Sequence, residues 1–197
     1  MNIIEIFTKS LFLIISFDSD LWEIIILSLY VSISALIIAS ILGLLLGYYI
    51  ALKKFLFKSF ILIVLNSLMG IPPVVVGLIV YFLFASGGPL GVLQLLYTPT
   101  AMIIAQVIII FPIVTSISHE IFDQNWREYK DQLRSINMPF FGIAFIITKH
   151  SYFLVITALL SAFGRAISEV GAVMIVGGNI DHFTRVMTTA ISLETRM

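Results

Sequence analysis

The chain contains 197 residues, of which 60% are hydrophobic and only 11% are Asp, Glu, Lys or Arg. Soluble globular domains usually carry about 25% charged residues, so this composition excludes a water-soluble fold. The net charge of zero argues against nucleic acid as a partner, and the absence of Cys rules out disulfides and cysteine chemistry. Because ~20 apolar residues span a bilayer as a helix, we predict one all-α integral membrane domain over residues 1–197.

Residues 1–20 are expected to form a separate interfacial helix that lies on the membrane surface. Four apolar residues recur there at helical spacing: Ile4, Phe7, Leu11 and Ile14. The segment lacks the basic start, the long apolar core and the small-residue cleavage site of a signal peptide. An interfacial helix is therefore the favoured interpretation.

Charged residues separate four predicted spanning helices. The 29 residues from 24 to 52 carry no charge, and the uncharged run of 60 residues from 59 to 118 is interrupted by Gly87-Gly88-Pro89. We therefore predict helices over about 21–52, 59–85 and 99–118. A fourth is predicted from near Lys149 to Gly177-Gly178.

Basic residues indicate the orientation of these helices. Seven lysines and arginines flank the second and fourth predicted helices on one side: Lys53, Lys54, Lys58, Arg127, Lys130, Arg134 and Lys149. The other side holds Lys9, Arg185 and Arg196. Because cytoplasmic loops are enriched in Lys and Arg, the N-terminus is expected to lie outside.

The first predicted helix carries a stripe of small residues: Ser28, Ser32, Ala35, Ala39, Gly43 and Gly47. Small residues let helix backbones approach closely in lipid. Packing inside the chain's own bundle is favoured over a contact between two copies.

Two adjacent prolines, Pro72 and Pro73, lie inside the second predicted helix. Proline removes a backbone donor and clashes with the preceding turn, so the helix must kink or break there. A kink that serves packing and a break that lines a translocation pathway are equally open interpretations.

The fourth predicted helix contains a cation and an anion, Arg165 and Glu169, in an otherwise apolar span. Residues four apart share a helix face and can pair. Ser161 and Ser168 extend the same polar stripe. Because charges inside a membrane normally face a bundle interior or an aqueous path, the stripe is either a structural ion pair or the lining of a pathway or gate.

The segment from 120 to 141 is the only strongly polar internal stretch. Apolar residues recur along it with the spacing of an amphipathic helix: Phe122, Trp126, Tyr129, Leu133 and Ile136. Asn137 and Pro139 are expected to end this helix. The pattern alone favours a helix on the bilayer surface over one presented to a soluble partner.

Motifs of soluble enzymes are missing from the sequence. It contains no phosphate-binding loop, no His-Glu-x-x-His and no Gly-x-Ser-x-Gly, and its three histidines are scattered. The chain is therefore not expected to hydrolyse ATP, to bind a metal or to be an enzyme.

From about residue 20 onwards the sequence resembles the membrane-spanning permease subunits of bacterial ABC importers for oxyanions. The likeness is carried by residues 163–180, Phe-Gly-Arg-Ala-Ile-Ser-Glu-Val-Gly-Ala-Val-Met-Ile-Val-Gly-Gly-Asn-Ile, and by residues 184–191. It is greatest to the tungstate-type branch of the molybdate and tungstate permeases. The resemblance implies a type-I ABC importer (MetI-like) helical bundle in the bacterial cytoplasmic membrane. It also implies five spanning helices, the last of which should follow Thr188 to Leu193, so the chain is expected to lack the final helix.

Permeases of this family present a cytoplasmic Glu-Ala-Ala loop to the ATPase subunit. Aligned to that motif, Asp131 replaces the Glu, Asn137 replaces the Gly, and Ile147 matches the Ile, whereas Lys149 and His150 replace Leu-Pro. The resemblance thus reverses the preference for 120–141 and implies a coupling segment. Its candidate contact residues are Arg127, Asp131, Arg134 and Asn137.

The resemblance also implies the partners and the substrate. The expected partners are a cytoplasmic ATP-binding subunit that carries ATP and Mg, an extracytoplasmic oxyanion-binding protein and a second copy of the chain. The most closely implied substrate is tungstate, with molybdate or sulfate as alternatives. A channel-like or structural membrane protein that works without ATP is the alternative from another class. Arg165 would meet a passing oxyanion, with Glu169 holding it until then.

Overall fold

The computed structural model of the chain describes residues 7–8, 12 and 14–195, with the side chains of Arg134 and Phe140 left out of that description. Within these residues helices are the regular elements, as the composition predicts. The interfacial helix predicted over residues 1–20 falls largely outside the described residues and stays a prediction.

Eight α-helices follow one another in the described part of the chain. They are α1 (Ser19–Leu52), α2 (Lys58–Met69), α3 (Pro73–Phe84), α4 (Pro99–Ser135), α5 (Phe140–His150), α6 (Tyr152–Ile167), α7 (Gly171–Gly177) and α8 (Met187–Glu194). Helices α1 and α4 are long and apolar enough to cross a membrane. The bent pairs α2–α3 and α5–α6 raise the number of candidate spans to as many as four.

Helix α1 packs closely against α4 through its stripe of small residues, all of which are buried. A Cβ atom on Gly43 would lie 2.9 Å from Val114 Cγ1, and one on Gly47 would lie 2.8 Å from the carbonyl oxygen of Thr115. These approaches leave no room for a side chain. The stripe therefore serves packing inside the chain, as favoured from the sequence.

Helices α2 and α3 meet at an angle of 98°, and the residues 70–72 between them are called the proline break below. Pro73 is the first residue of α3, and Pro72 directly precedes it. Proline suits this position because the first amides of a helix have no acceptor within the helix. The break predicted within 59–85 is thus present, and it divides that helix into two of 12 residues each.

Helix α4 is longer than predicted. The sequence suggests a span that ends near 118 and a separate amphipathic helix after it, but one helix of 37 residues runs from Pro99 to Ser135. The reason is tertiary packing, because Phe122 and Leu133 are buried against Ile147 in a second core. The apolar face therefore lies against the protein rather than the bilayer, and only Ile136 remains exposed.

Asn137 ends α4 as predicted. Its backbone is left-handed, with φ of 49°, and the amide of Met138 donates to the carbonyl of Leu133 at 3.3 Å. This is the hydrogen bond of a Schellman turn, in which Asn is one of the few residues that replace Gly.

The fourth predicted span begins where expected but is not continuous. Helix α5 ends at His150, α6 starts at Tyr152 after a bend of 81°, and α6 stops at Ile167. Residues 168–170, called the glutamate break below, separate α6 from α7. After the interruption, the carboxylate of Glu169 accepts the amide of Ala172 at 3.1 Å and so caps the first turn of α7.

Candidate functional site

The two charges of the fourth span form an ion pair. Arg165 Nη1 lies 2.8 Å from Glu169 Oε2, as their spacing predicts. The two side chains differ in exposure, 37% for Arg165 and 6% for Glu169. The pair thus has a buried anionic end and an accessible cationic end, and the accessible end could meet an anion.

Glu169 joins three parts of the fold. Its Oε2 accepts from Arg165 on α6, and its Oε1 accepts from the amide of Ala172 on α7. Its backbone carbonyl accepts the hydroxyl of Thr188 on α8 at 2.8 Å. Glu169 therefore holds both ends of the glutamate break and the helix beyond it.

The helices that follow the two breaks, α3 and α7, pack against one another. A Cβ atom on Gly77 in α3 would lie 2.7 Å from Ala172 Cα, and one on Gly171 would lie 2.5 Å from Val74 Cγ2. Only glycine permits such a close approach of α3 to α7. The structure thus brings the first turns of α3, which begins at Pro73 directly after Pro72, to the residues that Glu169 caps.

A cavity of about 310 Å³ lies beside the ion pair. Its lining joins Met69 and Ile71 at the proline break to Phe111 and Pro112 on α4, and Arg165 is the charged residue in it. The cavity is therefore apolar with a single cation at its wall, next to the proline break.

Ser161 and Ser168 lie on the exposed surface of α6 and at its end. Their hydroxyls donate to carbonyls of their own helix, Thr157 at 2.8 Å and Arg165 at 3.2 Å. The predicted polar stripe is therefore present as a surface on which Arg165 lies between two serines.

Sequence reasoning missed two polar residues that hold the site. Gln106 on α4 donates from Nε2 to the carbonyl of Ala166 at 3.1 Å, and Thr188 donates to Glu169. A signal was available for Gln106, because it is a rare amide within the uncharged run of residues 59–118. Thr188 lies within residues 184–191, which carry the family resemblance, but nothing in that pattern indicates a contact with Glu169.

The C-terminal half of α4 carries a charged network that is centred on Asp123. Asp123 lies 3.2 Å from Lys58 Nζ through Oδ1 and 2.8 Å from Arg127 Nη2 through Oδ2. Among the predicted coupling residues, Arg127 and Asp131 are exposed, Asn137 forms the turn, and the side chain of Arg134 lies outside the description. The network joins α2 to α4, a contact that the sequence does not reveal.

A second charged cluster lies at the N-terminal end of α1, near Glu23. Glu23 Oε2 lies 2.9 Å from His182 Nδ1, and Arg185 lies 2.8 Å from Asp181. The hydrogen bond to Glu23, with the nearby negative charge of Asp181, raises the pKa of His182. The charges of this end and those around Asp123 thus lie at opposite ends of α1, with the apolar helices between them.

Comparison with known proteins identifies relatives over almost all of the chain. Residues 39–196 match the family of binding-protein-dependent transport system inner membrane components. The chain is 39% identical over 195 residues to a tungstate uptake system permease protein of Peptoclostridium acidaminophilum, which covers 99% of the chain and 86% of that protein.

Two further relatives are similar at comparable levels. A probable anion ABC transporter permease protein of Haloferax volcanii is 40% identical over 174 residues, covering 86% of the chain and 75% of that protein. A tungstate uptake system permease protein of Campylobacter jejuni is 34% identical over 189 residues, covering 96% and 79%.

Proposed function

Because the chain belongs to the family of inner-membrane components of binding-protein-dependent transport systems, we propose that it is the permease subunit of an ATP-driven tungstate importer. The observation that carries the proposal is the similarity, over nearly the whole chain, to two tungstate permeases. The resemblance predicted from residues 163–191 is confirmed. The chain is a non-catalytic membrane permease, as its relatives are, and ATP hydrolysis belongs to a separate subunit.

The N-terminus of α1 faces outside in this proposal. Two observations support it: Lys58 contacts Asp123 at one end of the bundle, and Glu23 contacts His182 at the other. The first end carries most of the basic residues that flank the spans. It is therefore cytoplasmic by the positive-inside rule, and residues 181–185 lie outside.

The permease acts as a homodimer around a central path. This is supported by the exposed stripe of Ser161, Arg165 and Ser168, because a charged side chain in the membrane must be covered by protein or face water. A second copy facing this stripe would cover it with protein and would enclose a water-filled path beside it. The cavity beside Arg165, whose lining includes Ile71 directly before Pro72 and Pro73, would then lie next to the same path.

The ion pair lets an oxyanion pass without retaining it. A guanidinium offers paired N–H donors that match the oxygens of a tetrahedral anion. Conduction also requires that binding be weak enough for release. Glu169 serves that need because it neutralises Arg165 whenever the anion is absent. Arg165, Glu169 and the two serines are thus pathway residues.

The coupling segment, residues 120–141, contacts the ATPase subunit in this proposal. Its exposed residues Arg127 and Asp131, together with Arg134 and the turn at Asn137, form the contact. ATP and Mg are bound by the ATPase, and an extracytoplasmic binding protein delivers the anion. Since α4 is continuous from Pro99 to Ser135, movement of the segment is carried into the membrane.

The test is uptake into proteoliposomes that contain the chain, its ATPase and its binding protein. We expect ATP-dependent tungstate uptake that excess molybdate or sulfate inhibits only weakly. Stronger uptake of molybdate or sulfate would contradict the substrate, and flux without ATPase or nucleotide would favour a channel. A variant with Arg127, Asp131 and Arg134 changed to Ala should lose both the ATPase on co-purification and uptake.

A further inference from the structure

Gln106 is a buried amide near the N-terminal end of α4, with 4% of its surface exposed. Its Nε2 donates to the carbonyl oxygen of Ala166 at 3.1 Å. Ala166 belongs to the last turn of α6, directly before the glutamate break. The carbonyls of a last helical turn have no partner within the helix, and in the apolar interior of a membrane such groups must be satisfied by other means. The backbone amide of Glu169 also donates to the carbonyl of Ala166, at 3.3 Å, so Gln106 adds a second and shorter hydrogen bond directly before the break.

The other atom of the amide points to a ligand. Gln106 Oε1 is buried and has no hydrogen-bond partner among the described residues. Gln106 lines a cavity of about 10 Å³ whose remaining polar residues are Ser28, Ser32, Glu169 and Thr188. A polar cavity of roughly that size holds one water molecule. A water there would donate to Oε1 and to an oxygen of the glutamate break.

Helix α4 connects Gln106 to the coupling end of the bundle. Asp123, which joins the coupling end of α4 to α2, lies 17 residues beyond Gln106 on the same helix, about 26 Å along its axis. The helix continues through Pro112 without an interruption. A displacement of the cytoplasmic end therefore moves Gln106, and the carbonyl that it holds moves with it.

We propose that Gln106 is a positioning residue of the transport cycle, which with one buried water in this cavity ties the glutamate break to α4. The proposal rests on the proposed function for its place in the cycle. In this proposal Gln106 does not contact the substrate. Gln106 acts through Ala166 and Glu169, and it determines whether α7 stays against the bundle.

The experiment uses the absence of Cys from the chain, which makes single-cysteine variants specific. Val173 on α7 is 1% exposed, so Val173→Cys reacts with a maleimide only when α7 separates from its neighbours. The purified full-length chain in lipid nanodiscs is labelled with and without Gln106→Leu. Losing the buried hydrogen bond should raise the labelling rate about tenfold.

Two controls separate this effect from misfolding. Thr115→Val removes a buried hydroxyl of α4 that donates to its own helix, at Phe111, and should leave the rate at the level of the parent. Val80→Cys on α3, which is fully buried, should stay slow with Gln106→Leu. An unchanged rate at Val173→Cys, or equal increases at both cysteines, would overturn the proposal.

A second readout connects the residue to transport. In proteoliposomes, Gln106→Leu should keep ATP hydrolysis and transport about tenfold fewer anions per ATP, with Thr115→Val like the parent. If the parent itself imports no tungstate, the proposed function fails, and the labelling result still decides the role of Gln106. Unchanged anions per ATP in Gln106→Leu beside an active parent would contradict the role in transport.

Discussion

The two helix breaks are followed by helices in close contact, α3 and α7, but the breaks are held in different ways. The proline break follows from backbone chemistry, because Pro73 at the start of α3 has no amide to donate to the preceding turn. The glutamate break contains neither Gly nor Pro. It is held by hydrogen bonds from side chains, chiefly those of Glu169, Gln106 and Thr188.

This difference indicates which break moves. A break that proline imposes persists whatever its neighbours do, whereas one held by three side chains can reform as those contacts change. In the proposed function, the proline break then serves as a fixed wall of the path. In that same function, the glutamate break, which follows Arg165 of α6, is the element that responds to the ATPase.

The largest expected effect belongs to Glu169→Ala. It leaves Arg165 unpaired in the membrane and the amide of Ala172 without its cap. Loss of a buried partner destabilises by about 3–5 kcal/mol, and the exposure of Arg165 places the effect near the lower value. Unfolding in detergent measures it, and the exposed Glu194→Gln is the matched control. A loss below that of Glu194→Gln would show that the pair does not hold the break.

Gly77→Ala tests the contact between α3 and α7, the helices that follow the two breaks. The added Cβ would lie 2.7 Å from the backbone of Ala172, which cannot rotate away. Overpacking of this kind destabilises by about 1–3 kcal/mol. Gly164→Ala on α6 meets no atom within 4 Å and should be neutral or stabilising in the same unfolding assay. Equal behaviour of the two variants would contradict close packing of α3 on α7.

Replacing both prolines, Pro72→Ala with Pro73→Ala, tests whether the first break is fixed. Each proline restricts the unfolded chain, so each replacement should lower the free energy of unfolding by about 0.4–1 kcal/mol. We also expect the angle between α2 and α3 to straighten from 98°, measured as a distance between spin labels on the two helices. An unchanged distance would mean that packing, not proline, maintains the bend.

The smallest effect is the pH dependence of the contact between His182 and Glu23. The pKa of His182 is raised in the folded protein, chiefly by its hydrogen bond to Glu23. Its stabilisation is therefore complete below about pH 6.5 and is lost as the pH rises through the folded pKa. Melting temperatures between about pH 6 and pH 8 should fall more for the parent than for His182→Gln. Parallel dependence of the two melting temperatures on pH would show that the contact between His182 and Glu23 does not stabilise the folded protein.

The contrast between the breaks also explains what could be predicted from sequence. Charge spacing placed α1 within two residues, and Pro72 and Pro73 located the first break. The ion pair followed from the spacing of Arg165 and Glu169. These features depend on local chemistry, which a sequence displays directly.

The remaining features depend on contacts between distant residues. The extension of α4 requires the packing of Phe122 and Leu133 against residues beyond 140. The glutamate break accepts hydrogen bonds from Gln106, 60 positions away from Ala166, and from Thr188. Neither contact has a periodicity or a motif, so the pattern predicted one continuous fourth span.

Thiol labelling in the assembled transporter tests most directly whether the glutamate break moves and the proline break does not. Val173→Cys lies in α7, just after the glutamate break, and Val80→Cys lies in α3, beyond the proline break. Both parent side chains are buried. Each single-cysteine complex, with its ATPase and binding protein, is labelled with and without ATP. We predict that ATP changes the labelling rate at Val173→Cys and leaves that at Val80→Cys unaltered. A change confined to Val80→Cys, or equal changes at both positions, would contradict a fixed proline break and a mobile glutamate break.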